Sequence, residues 1–295
     1  MNGFLLIDKP SGISSAQCVY FLRKILKRIK IGHCGTLDPL ATGVLPICIG
    51  EATKFSGFVS DQIKRYEVKI LFGLETDSGD ITGKEVALSE VNFTLNDLKS
   101  ALQSFIGEST QIPPMFSAKK KDGKPLYYWA RKGVYLNREP VHVSIKNINL
   151  KSKNLVNKEA VIEVTCSKGT YIRVLIESLG RSLGTRATVL ELRRTRLGLI
   201  KDKDTISLEF TDKSSYLKKL VNCEDVLNEF PKILLDKEQT KKIRKGQQVD
   251  YNARQEKEGL VRLYEEEGSF IGIGSVDSLK KVSPRRLLSK ETYSA

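Results

Sequence analysis

Residues 65–73, RYEVKILFG, alternate between two kinds of side chain along the chain. Tyr66, Val68, Ile70 and Phe72 share one face, whereas the other face is mainly charged. Because successive side chains of a strand point to opposite sides, this alternation predicts a half-buried β-strand. A sheet is therefore the main element to expect. Further strands are predicted in residues 3–8, 141–150, 159–169, 188–198 and 259–276, the last as a hairpin.

Fewer segments show the spacing of apolar residues that is typical of a helix. Ser14 and Ser15 cap a basic helix that is predicted to run to about Lys30. A second helix is predicted in residues 95–106, a third opens at Thr170 and closes at Gly184, and a short one lies in residues 236–247. Strands outnumber helices and have hairpin-like spacing, so we expect an α+β fold with a mixed, mostly antiparallel sheet flanked by helices.

The charge of the chain indicates a polyanionic partner. Lys and Arg total 49 against 35 for Asp and Glu, which gives a net charge of +14 over 295 residues. Nucleic acid and an anionic membrane surface are the two partner classes that fit. No apolar run approaches the roughly 20 residues of a membrane span. The apolar run before Asp8 is too short for a secretory signal, so we expect a cytoplasmic protein.

The length of the predicted elements changes near Pro231, which indicates a domain boundary. Residues 1–230 hold the long strands and helices, whereas residues 231–295 contain short units that fit a small β-rich accessory domain. Five cysteines lie far apart without a C-x-x-C pair, so neither a disulfide framework nor a zinc site is indicated. With only two histidines, the sequence predicts no metal site.

Asp38 stands alone in an uncharged, glycine-rich run, IGHCGTLDPLATGVLPICIG. It could be a turn former that accepts backbone N–H bonds, or a reactive carboxylate, because small neighbours let a ligand approach the backbone. Arg173 falls in the first turn of a predicted helix, where the helix dipole disfavours a cation. We expect it to have an anionic partner, either Asp38 or a phosphate. Tyr66 and Tyr171 could be core residues or site residues.

An irregular insert spans residues 109–138 and mixes cations with aromatic rings. Such long segments without periodicity are usually functional or disordered. RNA explains the mixture well, because its phosphates bind cations while its exposed bases stack on rings. The candidate RNA-binding residues are Lys119, Lys120, Lys121, Lys124, Arg131 and Lys132.

At these residues the chain resembles a known family. GHCGTLDPLATGVLPICIGEATK resembles the catalytic loop of the TruB family, the tRNA pseudouridine synthases that isomerise uridine 55 in the T-loop. Five further blocks resemble the family in the same order, over residues 3 to about 198. They are LLIDKPSGISS, KRYEVKILFGLETDSGDITG, PPMFSAKKKDGKPLYYWARKG, CSKGTYIRVLIESLGRSLG and LRRTRLG.

The resemblance implies a pseudouridine synthase fold over residues 1–230, with the insert gripping RNA, and a PUA-like RNA-binding domain over 231–295. It implies that Asp38 is the catalytic aspartate and that Arg173 pairs with it. It also implies that Tyr66 packs on the target base, where its hydroxyl is a candidate for removing the C5 proton. Pocket residues would be His33, Tyr171 and Leu192, with Asp80 in a supporting polar network. The reaction needs no cofactor, because breaking and remaking a glycosidic bond changes no redox state.

Other interpretations remain open at this point. The same catalytic domain could serve a guide-dependent or ribosomal-RNA pseudouridine synthase, or the protein could be a non-catalytic tRNA-folding chaperone. Basic charge and aromatic residues fit both, whereas Asp38, Tyr66 and Arg173 together favour catalysis. For the enzyme we expect the T-arm of tRNA as substrate, no obligate protein partner and a monomer.

Overall fold

The computed structural model describes residues 1–154, 156–209, 212–251 and 258–289. One large sheet and several short hairpins occupy the region before Pro231. The strands there are β1 (Gly3–Lys9), β2 (Ile31–His33), β3 (Thr42–Ile49), β4 (Lys64–Phe72), β5 (Leu74–Thr76), β6 (Glu85–Leu88), β7 (Gly107–Gln111), β8 (Lys120–Lys121), β9 (Lys124–Pro125), β10 (Val141–Asn154), β11 (Glu159–Cys166), β12 (Ala187–Leu197) and β13 (Ile200–Lys201).

Short helices connect and flank these strands. In chain order they are α1 (Ser15–Leu26), α2 (Ser56–Ser60), α3 (Leu95–Ser104), α4 (Leu126–Ala130), α5 (Ile172–Ser182), α6 (Lys213–Leu217) and α7 (Cys223–Val226), with 3₁₀ turns at Gly50–Phe55 and Asp202–Asp204. No helix among the described residues is long and apolar enough to cross a membrane.

The large sheet has nine strands in the path β1-β3-β12-β4-β11-β10-β7, with β2 paired to β3 and β13 paired to β12. Its one parallel pair within the described residues joins β3 and β12, where Arg193 lies opposite Thr42. The expectation of a mixed, mostly antiparallel α+β sheet is therefore confirmed. The alternating run around Tyr66 became the central strand β4, whose inward side chains are buried.

Two helix boundaries differ from the sequence prediction. Helix α1 ends at Leu26 instead of about Lys30, because the backbone leaves the helical region at Lys27 and Arg28 has φ +63°. Helix α5 begins at Ile172 with Tyr171 as its N-cap. Thr170 does not cap it, since its hydroxyl donates to the carbonyl of Ser167 at 3.0 Å.

The insert is more ordered than its sequence indicated. Strand β7 pairs with β10 along the edge of the large sheet. Strands β8 and β9 form a small hairpin, which is possible because Asp122 and Gly123 both adopt positive φ at its turn. The short helix α4 follows directly. These units have only two to five residues, which is too short for periodicity to reveal.

A second sheet follows Pro231, and with it one more helix. Its elements are β14 (Lys232–Leu235), α8 (Lys237–Arg244), β15 (Val249–Asp250), β16 (Gly259–Glu265), β17 (Phe270–Val276) and β18 (Lys281–Leu287). The strand order is β14-β16-β17-β18-β15, and the predicted hairpin is the pair of β16 and β17.

The second sheet packs on the first part of the chain through a shared apolar cluster. The rings of Phe55 and Phe270 lie 5.8 Å apart across the junction. Lys54 reaches across the junction and donates to the carbonyl of Leu287 at 3.1 Å. The two parts are therefore joined by buried contacts. The division at residue 230 remains a prediction from the sequence.

Candidate active site

The loop between β2 and β3 carries Asp38 and is held at several points. Gly35 adopts φ +81° at its start, a conformation that favours glycine. Leu37 donates its N–H to Oγ of the buried Ser15 at 2.8 Å, and that hydroxyl returns a bond to the Leu37 carbonyl at 3.1 Å. Ala41 closes a turn by donating to the Asp38 carbonyl at 3.1 Å. The first turn of α1 therefore fixes the backbone beside Asp38.

The Asp38 carboxylate accepts a bond from Arg173. Nε of Arg173 lies 2.8 Å from Oδ2 of Asp38. The arginine side chain is 5% exposed, whereas the aspartate side chain is 33% exposed. Of the two partners the sequence left open for Arg173, the structure thus shows Asp38. Among the hydrogen bonds of the described residues, Oδ1 of Asp38 accepts none, so this oxygen is available for a ligand.

The guanidinium of Arg173 is positioned by two backbone carbonyls. Its terminal nitrogens donate to the carbonyl of Ser78 and, at 2.7 Å, to that of Phe116. Asp80 lies behind this group, with Oδ2 3.9 Å from Nε. The carboxylate of Asp80 is itself held by the N–H of Thr82 at 3.0 Å. Arg173 is therefore fixed in one orientation before any ligand binds.

A cavity of about 240 Å³ opens in front of Asp38 and Arg173. Tyr66 from β4 and Leu192 from the neighbouring β12 form part of its apolar wall, and both are 7% exposed. Tyr171, the residue before α5, also lines it. Burial raises the pKa of the Tyr66 hydroxyl, although the nearby Arg194 opposes the shift. Tyr66 therefore presents a neutral ring to the cavity at neutral pH.

Arg194 is a residue of this site that the sequence reasoning missed. Its side chain is fully buried and lines the cavity. Nε donates to the carbonyl of Val44 at 2.7 Å, and one terminal nitrogen donates to the carbonyl of Gly35 at 3.0 Å. Gly35 stands near the start of the Asp38 loop, and Val44 lies in β3 just after its end. None of the ion pairs found among the described residues includes Arg194, so its charge is stabilised by carbonyl dipoles.

Lys64 adds a second cation to the cavity wall, and the sequence reasoning did not single it out. Its ammonium donates to the carbonyl of Gln62 at 2.6 Å, and the side chain is largely buried. Burial, reinforced by the charge of Arg194, lowers the pKa of Lys64 to about 8. The lysine therefore changes charge close to physiological pH. The charge of the cavity wall decreases as pH rises through that value.

His33 and Asp80 do not line the cavity. His33 lies on β2, where burial lowers the pKa of its imidazole. Its Nδ1 is buried and has no hydrogen-bond partner in the part of the chain described. Asp80 contacts the site only through the back of Arg173. Their assignment to the nucleotide pocket remains a prediction.

The six candidate RNA-binding cations of the insert are exposed, and Lys119 alone among them lines the cavity. Several lie over aromatic rings. The ammonium groups of Lys124 and Lys132 lie 4.6 and 4.7 Å from the ring centre of Tyr128, and Arg131 lies 5.5 Å from that of Tyr127. These contacts order the cations without neutralising them. Within the described residues, no group of three potential metal-ligating side chains is present.

Comparisons with known proteins match the chain along its whole length. The sequence profile of the TruB family pseudouridylate synthase (N terminal domain) matches residues 23–172, and that of pseudouridine synthase II TruB, C-terminal, matches residues 231–288. The tRNA pseudouridine synthase B of Methylobacillus flagellatus is 40% identical, over 98% of this chain and 95% of the relative. That of Aromatoleum aromaticum is also 40% identical, over 98% and 93%.

Solved structures show the same fold. A chain in the crystal structure of a Cbf5-Nop10-Gar1 complex superposes with a TM-score of 0.72 at 23% identity, over 98% of this chain and 84% of that one. A chain in a structure of an H/ACA RNP bound to a substrate RNA containing 2′-deoxyuridine gives 0.71 at 22%, over 97% and 85%. Fold and sequence together define the class, an enzyme that isomerises uridine to pseudouridine. Within that class, the chain belongs to the TruB family of pseudouridylate synthases.

Proposed function

We propose that this enzyme converts uridine 55 in the T-loop of tRNA into pseudouridine. Relatives at 40% identity are tRNA pseudouridine synthases and match over almost their full length. The observation that carries the proposal is the bond between Arg173 and Asp38 at the mouth of a cavity walled by Tyr66 and Leu192. Such a cavity can take one flipped base with its sugar beside the carboxylate.

Asp38 is the proposed catalytic residue. Arg173 occupies Oδ2, which leaves Oδ1 to face the substrate. This oxygen could attack the sugar or the base as a nucleophile, or remove a proton at the 2′ position. In either case the N1–C1′ bond breaks, the base turns, and a C5–C1′ bond forms; C5 loses its proton and N1 takes one up, so the product is an isomer of the substrate. The bond to Arg173 keeps the carboxylate oriented through both halves of the reaction.

Tyr66 is proposed to stack on the target base. The raised pKa of its hydroxyl favours the neutral phenol. Tyr66 is therefore better suited to stack on the uracil ring than to remove a proton from it. Leu192 and Tyr171 complete the wall of the cavity, and their contact with the base would hold it while the glycosidic bond is broken. His33 and Asp80 are proposed to act from outside the cavity, Asp80 through Arg173.

Base flipping explains the cations of the insert. A uridine in a stacked loop must leave its stack before Asp38 can reach it, at a cost of a few kcal/mol. Phosphate contacts from Lys119, Lys120, Lys121, Lys124, Arg131 and Lys132 are proposed to offset that cost. The adjacent rings of Tyr127 and Tyr128 supply stacking surfaces for unpaired bases.

The other parts of the proposal follow from the substrate. A tRNA enzyme of this kind works in the cytoplasm, and isomerisation consumes no cofactor. We propose a monomer without an obligate protein partner, in which residues 1–230 perform catalysis and residues 231–295 form a PUA-like domain that contacts RNA outside the T-loop. The match of a TruB C-terminal profile to residues 231–288 supports that division.

The test uses a short T-arm hairpin with C5-tritiated uridine at position 55. The purified protein should release tritium and produce pseudouridine in nucleoside analysis, equally well in excess EDTA and without added nucleotide. A hairpin labelled only at other uridines is the control and should release none. Binding without release would favour the chaperone alternative. Activity that requires a guide RNA, or that occurs only on ribosomal RNA fragments, would favour the second enzyme alternative.

A further inference from the structure

The segment between Asp8 and Asp38 contains no Asp or Glu, yet it carries a dense group of cations beside the candidate active site. Five of them occupy eight positions at the end of α1 and just after it, and all five are exposed. The function proposed above does not use them. We call these residues the α1 basic face, namely Arg23, Lys24, Lys27, Arg28 and Lys30.

This face points away from the core. Cys18, Leu22 and Leu26 form the buried side of α1. Tyr20 lies on the opposite side and is 59% exposed, with the ammonium of Lys24 4.6 Å from its ring centre. An exposed aromatic ring beside ordered cations combines the two features that contact RNA.

The charges of this face are not compensated by nearby acids. None of the ion pairs among the described residues includes any of its five members, whereas Lys69 on β4 lies within 4 Å of both Glu159 and Glu191. Arg23 and Lys24 lie in the last turn of α1, and Lys27, Arg28 and Lys30 follow its end, so five like charges repel one another within eight positions. A bound polyanion would relieve this repulsion.

The α1 basic face lies at the end of the helix that is farther from the cavity. Ser15, at the start of α1, bonds to Leu37 beside Asp38. The helix has 12 residues, so its basic end lies roughly 18 Å along its axis from that contact.

We propose that the α1 basic face binds the phosphate backbone of the substrate RNA, roughly 18 Å along α1 from the contact that holds the Asp38 loop. The inference rests on the proposed function and adds a second RNA contact to it, distinct from the insert. The contact reads no sequence, because the side chains involved are cations that meet phosphates. Its role is to add affinity and to orient the stem.

The experiment compares two fourfold variants with the wild-type chain. In the first, Lys24→Gln, Lys27→Gln, Arg28→Gln and Lys30→Gln remove four charges from the face; Arg23 is kept because it donates to the carbonyl of Ile31 at 2.9 Å. The matched control removes four exposed charges elsewhere, through Lys99→Gln, Lys151→Gln, Lys153→Gln and Lys213→Gln. Affinity for tRNA is measured by fluorescence anisotropy at several salt concentrations, and turnover by tritium release.

We expect the face variant to bind tRNA at least 10-fold more weakly than the control at moderate salt. The slope of log affinity against log salt should flatten by about 0.7–0.9 for each phosphate that the variant no longer neutralises. Turnover at saturating tRNA should remain at the wild-type value. A charge-preserving variant, Lys24→Arg with Lys27→Arg, should bind like the wild type.

The proposal would be overturned if the face variant and the control had equal tRNA affinities and equal salt slopes, even if both variants were catalytically active. The proposal would also be overturned if the face variant bound tRNA as tightly as the wild type but no longer bound vesicles of anionic lipid. That result would favour a membrane partner. Failure of the proposed function has a different signature, because the wild-type chain itself would then release no tritium from tRNA.

Discussion

Nε of Arg173 donates to Oδ2 of Asp38 at 2.8 Å, although 135 positions separate the two residues in the sequence. The arginine is buried and is also bound to the carbonyls of Ser78 and Phe116. The aspartate lies on a loop and is partly exposed to the cavity. The fixed partner is therefore the arginine, and it determines the direction in which the carboxylate points.

Asp38→Asn should abolish pseudouridine formation while tRNA affinity stays within about 10-fold of wild type, because phosphate contacts supply much of the binding energy. The amide has the shape of the carboxylate but cannot act as nucleophile or base. Tritium release and anisotropy measure the two properties. Asp225→Asn, an exposed site in α7, is the control and should behave like the wild type. Substantial turnover by the Asp38 variant would remove Asp38 from its proposed role.

Arg173→Lys should reduce turnover at saturation by on the order of 10- to 100-fold, the equivalent of one charged hydrogen bond at about 1.5–3 kcal/mol. A lysine ammonium cannot keep bonds to Asp38 and to both carbonyls in the planar geometry of the guanidinium. The Michaelis constant should change little. Arg181→Lys on the same helix is the control, since that side chain is 56% exposed. Equal turnover of the two variants would contradict the orienting role.

Arg194→Met should lower both stability and turnover. The methionine fills a similar space, but the carbonyls of Gly35 and Val44 lose their donors and remain buried, at a cost of about 1–3 kcal/mol each. Urea unfolding measures the first effect. Turnover measured where the variant is fully folded reports the second, because the Asp38 loop then lacks the bonds from Arg194 to Gly35 and Val44. If the folded variant has wild-type turnover, Arg194 contributes stability alone.

The specificity constant should decline as pH rises above about 8, because Lys64 is protonated and attracts RNA below its pKa of about 8 and loses that charge above it. Lys64→Arg keeps the charge at all these pH values, so its decline should be shallower. Lys9, whose pKa burial also lowers to about 8, is present in both proteins, so the difference between the two profiles isolates Lys64. Identical profiles would contradict a role for Lys64 in substrate binding.

Phe270→Ala should lower the free energy of unfolding by about 3–5 kcal/mol, because it opens a cavity in the cluster shared by the two parts of the chain. We also expect one unfolding transition for the whole wild-type chain, followed by circular dichroism in urea. Leu279→Ala is the control, because Leu279 is 75% exposed. Two separate transitions, or equal stability of the two variants, would show that the contact between Phe55 and Phe270 contributes little.

The same contact affects any truncation. Removing residues 231–295 would expose Phe55 to water, so loss of activity in that fragment would not by itself assign catalysis to the C-terminal part. The single substitution is the cleaner test.

The strands and an anionic partner for Arg173 were predictable from sequence because their signals are local. Alternation around Tyr66 identifies a strand, and the position of Arg173 in a first helical turn indicates an anionic partner. Arg194 gave no such signal. It stands in LRRTRLG among Arg193 and Arg196, and only its partners reveal which arginine is buried. Arg193, by contrast, pairs with Asp8 near the surface.

The parallel pair of β3 and β12 has a consequence for how the chain acquires activity. The Asp38 loop precedes β3, and Arg194 on β12 crosses to hold it, so the loop is fixed only after segments 150 positions apart have met. Contacts of such long sequence separation are slow to form, whereas the hydrogen bonds of helix α1 join residues only four positions apart and form quickly. During refolding the helical signal should return early and catalysis last. Enzymatic activity thus reports the pairing of β3 with β12, which the helical signal does not.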